Sequence, residues 1–186
     1  MNATVTTRVV LETPRLLLRE FADSDAHVLA QVLSDAATML WYPAPLTEDQ
    51  VAQWIAGSRR RYASDGFGLW AMVRKATGEL IGDCGITMQA VDGELMPEVG
   101  YHVRRDCWGC GYATEAARAC FGYGFSVLGL DAIISLIRPE NVQSRRVAQK
   151  NGLRAERQTL RAGVLHDVWL ITRDEFMRLD LSACSE

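Results

Sequence analysis

The spacing of apolar runs changes once, near Val103, and that change restricts the fold more than any other feature of this sequence. Between residues 67 and 103 the chain reads as three strand-length segments, FGLWAMVR, ELIGDCGITMQ and PEVGYHV. Ala76-Thr77-Gly78 separates the first two, and an Asp-Gly turn signal in VDGEL separates the second from the third. Connections this short join antiparallel neighbours. Beyond Val103 a glycine-rich stretch leads into AARACFGYGFSVLGL, where Ala113, Ala116, Ala117, Cys120, Phe121, Gly124 and Val127 fall on one helical face. DAIISLI follows, continuous in apolar residues as buried parallel strands are. VQSRRVAQKNG then predicts a second helix with a C-cap signal at Gly152. LRAERQTL and VLHDVWLIT predict a closing hairpin around Arg161-Ala162-Gly163. The expectation is a mixed α/β (α+β) fold: a mostly antiparallel sheet with strand-helix-strand crossovers in its second half.

The first third is plainer. Residues 1–10 read as a flexible leader, and RLLLREF at 15–21 as a strand after the Thr13-Pro14 punctuation. Ser24 and Asp25 supply caps for a helix running towards Leu33, and Thr47 with Gln50 forms a capping box for EDQVAQWIAGSRRRYA. The organisation expected is one domain over residues 11–180 with a short tail at 181–186. A formal charge of -3 and a pI near 5.7 argue against general nucleic-acid binding. No stretch approaches the ~20 apolar residues that span a bilayer, and MNATVTTRVVLETPRLLL lacks the charged start and apolar core of a signal peptide. The five cysteines, Cys84, Cys107, Cys110, Cys120 and Cys184, form no framework. A reducing cytoplasm is the expected location.

The chemistry turns on CWGCGYATEA, residues 107–116. A redox CxxC belongs at a helix start close after a strand, early in a βαβ unit, whereas this one follows three antiparallel strands. Structural zinc needs about four ligands, and His102, Cys107 and Cys110 offer three, so no metal is expected. A Walker loop would need Gly-Lys-Ser/Thr, and a dinucleotide fingerprint would need glycine where Thr114 stands. Two readings remain. Gly109, Gly111 and Ala113 either make a tight strand-to-helix turn, or open a helix whose first N–H groups and positive end hold a pyrophosphate.

WGCGYATEA resembles the acyl-CoA pyrophosphate motif of the GNAT superfamily of N-acyltransferases, and specifically of its RimJ/RimL branch. In the motif Gln/Arg-x-x-Gly-x-Gly/Ala, Trp108 stands at the Gln/Arg position, Gly111 and Ala113 fill the two small ones, and Cys110 replaces a frequent basic residue. TPRLLLREF, EVGYHV, ENVQSRRVAQKNGL and HDVWLITRDEF are similar, in that order, to further segments of the branch. The resemblance implies a GNAT fold with its central sheet splayed at the cofactor site. It implies acetyl-CoA as cosubstrate, a primary amine as acceptor (a protein or peptide N-terminus or a small molecule), direct attack in a ternary complex and a possible homodimer.

It also assigns site residues. Cofactor contacts are expected from the main chain of Tyr101, His102 and Val103, from Trp108, Gly109, Cys110, Gly111, Tyr112, Ala113 and Thr114, and from Asn141. Glu98 is the expected base. It shares one strand face with Gly100 and His102, opposite Val99, Tyr101 and Val103, and would deprotonate the amine through water. His102 is a second candidate base. Ala148 stands where many members carry a tyrosine acid, and Ser144 is the branch's alternative near the CoA sulfur. Without the resemblance, Asn141 reads as an N-cap and Ser144 as a surface serine. The missing tyrosine keeps a non-catalytic acyl-CoA sensor as an alternative. A dinucleotide oxidoreductase is a further one, separable by whether NAD(P)H binds.

Overall fold

The computed structural model describes residues 7–183 and the side chains of 7–179. Residues 1–6 of the expected leader, residues 184–186 of the tail and Cys184 lie outside that range. Eight strands follow the sheet order β1-β2-β3-β4-β5-β6-β8-β7. Their ranges are β1 Val9–Glu12, β2 Leu16–Arg19, β3 Leu69–Arg74, β4 Glu79–Val91, β5 Glu94–Val103, β6 Ala132–Ile137, β7 Arg154–Arg161 and β8 Val164–Thr172. The helices are α1 Ala26–Leu33, α2 Glu48–Ser64, α3 Tyr112–Ser126, α4 Val142–Lys150 and α5 Arg173–Ala183. The β5–β6 pair is parallel, while β1–β2, β2–β3, β3–β4, β6–β8 and β7–β8 are antiparallel. No described helix is long and apolar enough to cross a membrane.

The chain divides into two compact units, residues 1–85 with 101–116 and residues 86–100 with 117–186. In the first, α1 and α2 cover the strands with Leu29, Val32, Leu33, Val51 and Ile55, against Phe21, Leu69, Ala71 and Val73. The Thr47 and Gln50 box starts α2 as the sequence predicts: Gln50 N–H donates to Thr47 Oγ1 and Thr47 N–H to Gln50 Oε1. Two glycines let β4 approach its neighbours. A Cβ on Gly82 would lie 2.0 Å from the His102 carbonyl oxygen, and one on Gly85 2.0 Å from that of Gly68.

The second unit packs α3 on β6. A Cβ on Gly124 would sit 2.5 Å from Ile133 Cδ1, so this mid-helix glycine serves helix–strand contact. Phe125, beside Phe176 at 5.3 Å between ring centroids, completes the buried face. Val127, expected on that face, lies past the helix end and is exposed, because the helix stops at Ser126. Gly152 at φ 83° closes α4, with its N–H on the Gln149 carbonyl and the Leu153 N–H on that of Ala148. This is the two-bond termination that a left-handed glycine permits. The β4–β5 and β7–β8 turns carry Asp92-Gly93 and Ala162-Gly163, all at positive φ.

Two elements depart from the sequence reading. β1 begins at Val9, inside the expected leader, and pairs with β2 from Val9↔Arg19 onward. The segment after β8, given no element in the sequence reading, is a helix, α5 Arg173–Ala183. The Gly82 contact gives a stability test. Gly82→Ala forces backbone against backbone and is expected to cost roughly 1–3 kcal/mol, the usual range for overpacking. Gly100→Ala, with nothing within 4 Å of the added carbon, is expected to leave the melting temperature nearly unchanged. Thermal unfolding of the two variants measures the contrast.

Candidate functional site

The sequence-selected loop lies in the first unit. After β5 a single tight turn, Arg105–Cys107, leads to Trp108, whose indole Nε1–H donates to the Val103 carbonyl at 2.7 Å and folds the loop back on its strand. Gly109 and Gly111 have φ of 75° and 83°, a region side chains rarely adopt. α3 starts immediately afterwards, its Glu115 N–H reaching back to the Gly111 carbonyl at 3.0 Å. The N–H groups of Gly111, Tyr112 and Ala113 come before that first helical bond. Glycines with positive φ running into a helix start give the kind of loop, a nest, whose main-chain N–H groups can hold an anion. The glycines are therefore needed for backbone conformation. No protein atom lies within 4 Å of a Cβ built on Gly109, and Gly111 would meet only Arg15 Nη2 at 3.4 Å.

The cysteines of the loop part company. Cys107 is buried and Cys110 exposed, and both are free thiols. Burial pushes the Cys107 thiol up, and the neighbouring Asp106 carboxylate pushes it the same way. An activated thiol needs the opposite environment. Among the described residues no group of three or more His, Cys, Asp or Glu could hold a metal ion. Packing accounts for Cys107. It does not account for Cys110, whose exposed thiol lies 3.6 Å from the Trp108 carbonyl.

A clamp that sequence reasoning missed fixes the loop from β2. Arg15 donates through Nε to Glu115 at 2.6 Å and through Nη1 to the Cys110 carbonyl at 2.9 Å, and its guanidinium lies 4.6 Å from the Tyr112 ring centroid. The Thr13 hydroxyl and the Arg15 N–H also donate to Glu115, at 2.6 and 2.9 Å. Burial pushes the Glu115 carboxyl up, but these donors outweigh it and hold the group below its usual range. Thr13-Pro14-Arg15 reads in sequence as a strand start, and nothing in it points to a partner one hundred residues away.

On β5 the structure places Tyr101, His102 and Val103 directly before this loop. The His102 N–H donates to Asp83 Oδ1 at 3.1 Å and the Arg104 N–H to the Ile81 carbonyl at 2.7 Å, both on the β4 side. The His102 main chain, expected among the cofactor contacts, thus has its N–H engaged by Asp83. Along a strand, alternate N–H groups point to opposite edges, so those of Tyr101 and Val103 point away from β4. The His102 ring is buried as well. Its Nδ1 lies 2.7 Å from Asp83 Oδ1 and its Nε2 2.7 Å from the Tyr42 hydroxyl, while Trp54 Nε1–H donates to Asp83 Oδ2 at 2.8 Å. A buried carboxylate in the apolar run ELIGDCGITM was the available signal for this cluster.

The second unit holds Glu98, Asn141 and Ser144. Glu98 pairs in register with Ile134, and its Oε1 accepts the Leu136 N–H at 3.1 Å. The Ser135 hydroxyl donates to the Val99 carbonyl at 2.8 Å. Side chains thus replace main-chain rungs as β5 and β6 run on from that pair. A Cβ on Gly100, next along the face, would meet nothing within 4 Å, which leaves open space beside the carboxylate. Asn141 caps α4, its Oδ1 accepting the Ser144 N–H at 3.0 Å. Thr114 follows the nest in the first turn of α3.

The chain matches the family described as Acetyltransferase (GNAT) domain over residues 15–154. It is 38% identical over 154 residues to the uncharacterized protein YkkB of Bacillus subtilis (strain 168), covering 82% of this chain and 87% of that one. It is 33% identical over 170 residues to the uncharacterized N-acetyltransferase p20 of Bacillus licheniformis, covering 87% and 94%. Among solved structures, an acetyltransferase (GNAT family) from Bacillus anthracis superposes with a TM-score of 0.72 at 25% identity, over 91% of this chain and 99% of that one.

The clamp predicts an acid-sensitive loop. Because the Glu115 carboxyl is held below its ordinary value, its contribution is present in full above about 4.5 and is lost as pH falls through the lowered value. Glu115→Gln is expected to cost about 1–2 kcal/mol at neutral pH, the scale of charge-assisted hydrogen bonds at a partly exposed site. The gap to the wild type is expected to close as pH drops below roughly 4. Urea unfolding across that range checks both statements.

Proposed function

Since the chain belongs to the GNAT acetyltransferase family, whose members use acetyl-CoA, we propose that it transfers the acetyl group to a primary amine by direct attack in a ternary complex. The observation that carries this reading is the nest at Gly109–Ala113, left-handed glycines running into a helix start, which suits the pyrophosphate of CoA. We assign the chain to the RimJ/RimL branch on Trp108 at the head of the motif and on Ser144 with Ala148 where other members carry tyrosine. The free thiols at Cys84, Cys107, Cys110 and Cys120 suit a cytoplasmic enzyme.

In this reading Tyr101 and Val103 hold the pantetheine through main-chain groups on the edge away from β4, and Trp108 walls the loop. Glu98 has two chemical tasks. One carboxylate oxygen keeps the Leu136 N–H occupied, and the group draws a proton from the amine through water. Ser144, oriented from the first turn of α4, is the hydroxyl assigned to the departing thiolate. A thiol of pKa on the order of 8–9 leaves without strong acid assistance, so a serine suffices where a tyrosine is missing.

Calorimetric titration of the reduced protein is expected to show one saturable site for acetyl-CoA and no binding of NADH. Gly111→Val, which forces a branched side chain into a left-handed position, is expected to abolish acetyl-CoA binding. Retained binding in that variant would sink the nest as the phosphate site. Glu98→Gln, which can still accept the Leu136 N–H, is expected to lower kcat on the order of 10²-fold with acetyl-CoA affinity unchanged. Turnover unaltered at every pH would remove Glu98 as the base.

A further inference from the structure

The parallel β5–β6 pair consists of one register position, Glu98↔Ile134, although neither strand ends there. β5 continues to Val103 and β6 to Ile137, and β6 stays paired with β8 at every position from Ala132↔Thr172 to Ile137↔Asp167. The strands therefore separate at a defined rung and not at a frayed end. Before the pair the cause is Pro97, which has no N–H to give to β6. After it the cause is a pair of side chains.

In a parallel ladder each bonded residue reaches the two neighbours of the residue opposite it. The rung after Glu98↔Ile134 would thus run from the Leu136 N–H to the Val99 carbonyl. Both groups face the gap, and each meets a side chain there. The Leu136 N–H donates to Glu98 Oε1 at 3.1 Å, and the Val99 carbonyl accepts from the Ser135 hydroxyl at 2.8 Å. One rung is split, with a carboxylate on its donor and a hydroxyl on its acceptor. We infer that Ser135 is a positioning residue for Glu98, because its hydroxyl keeps the Val99 carbonyl from reclaiming the N–H that aims the carboxylate. The inference rests on the acyltransferase reading, in which Glu98 is the base, and adds a residue to it. All of these groups lie within the second unit.

Burial leaves the rung two arrangements. Val99 is 1% exposed and Ser135 6%, so both are shut off from bulk water. A buried carbonyl without a donor is costly, and the Val99 oxygen must be answered by the protein. In the first arrangement the rung closes, Leu136 to Val99, and uses no side chain. In the second it stays split and needs Glu98 and Ser135 together. Without the hydroxyl, only the closed arrangement satisfies Val99. The closed rung then takes from Glu98 its main-chain anchor, beside the open space at Gly100. A hydroxyl has one hydrogen to give, and Ser135 gives it to Val99, so it acts on the reaction through Glu98 alone.

The test compares Ser135→Ala, Glu98→Gln and the double variant in the full chain. Thiol release is followed at saturating acetyl-CoA, with n-butylamine and with an alanine-terminated hexapeptide as acceptors. Ser135→Ala is expected to lose on the order of 10-fold in kcat, the scale of a misplaced reacting group. Its melting temperature is expected not to fall, since the closed rung satisfies both main-chain groups. The double variant is expected to turn over no more slowly than Glu98→Gln, because the serine works through that carboxylate. Wild-type kcat in Ser135→Ala, or losses that multiply in the double variant, overturns the positioning role and leaves the acyltransferase reading intact. Absent acetyl-CoA binding in the wild type overturns that reading itself. A second measurement is independent of turnover. The amide proton signal of Leu136 is expected to move when Glu98→Gln is made in the wild-type background and to stay in place when it is made in Ser135→Ala. The same movement in both backgrounds, or none in the wild type, overturns the inference even if neither amine is acetylated.

Discussion

A carboxylate with none of its surface exposed survives inside a sheet only when donors answer its oxygens, and Asp83 imposes that condition on the first unit. Meeting it requires a tryptophan from α2, a histidine from β5 and a main-chain N–H on the same strand. It also requires glycine at position 82, because a side chain there would hold β5 away from β4. Removing one partner strands a buried charge, a loss several times larger than the hydrogen bond itself. The β4–β5 register, the seat of α2 and the aim of Tyr42 therefore all depend on one acid.

Glu98 faces a different version of the same constraint. A parallel pair that stops short leaves main-chain donors without their rungs, and these must be satisfied by other means. Here Glu98 and Ser135 supply the replacements, on Leu136 and Val99. A strand opening is thus compatible with a well-ordered interior, and the carboxylate at its edge is oriented by the same bond that seals the gap.

The order and type of most elements were legible in the sequence because their signals are local. Hairpin turns at Asp92-Gly93 and Ala162-Gly163, the box at Thr47 and Gln50 and the stop at Gly152 each depend on residues within a few positions. β1 was missed because VVLE is short and gains its strand identity from pairing with β2. α5 was missed because its start is set by Glu175 accepting the Thr172 N–H and hydroxyl, in a stretch that reads as the end of a strand. At the site, the glycine loop could be read directly. The clamp of Thr13 and Arg15 on Glu115, and the gathering of Tyr42, Trp54, Asp83 and His102, could not, since their members lie tens of residues apart and meet only through the sheet.

The Arg15 strut ties the loop's Cys110 carbonyl and the start of α3 to a strand near the beginning of the chain. The loop is consequently shaped during folding rather than on ligand arrival, so binding carries little ordering entropy. In the proposed reading, affinity at the nest and the firmness of β2 become two faces of one equilibrium. A change that loosens β2 weakens ligand binding from a distance. A ligand held at a hundred times its dissociation constant would stabilise the folded chain, β2 included, by about 2.7 kcal/mol.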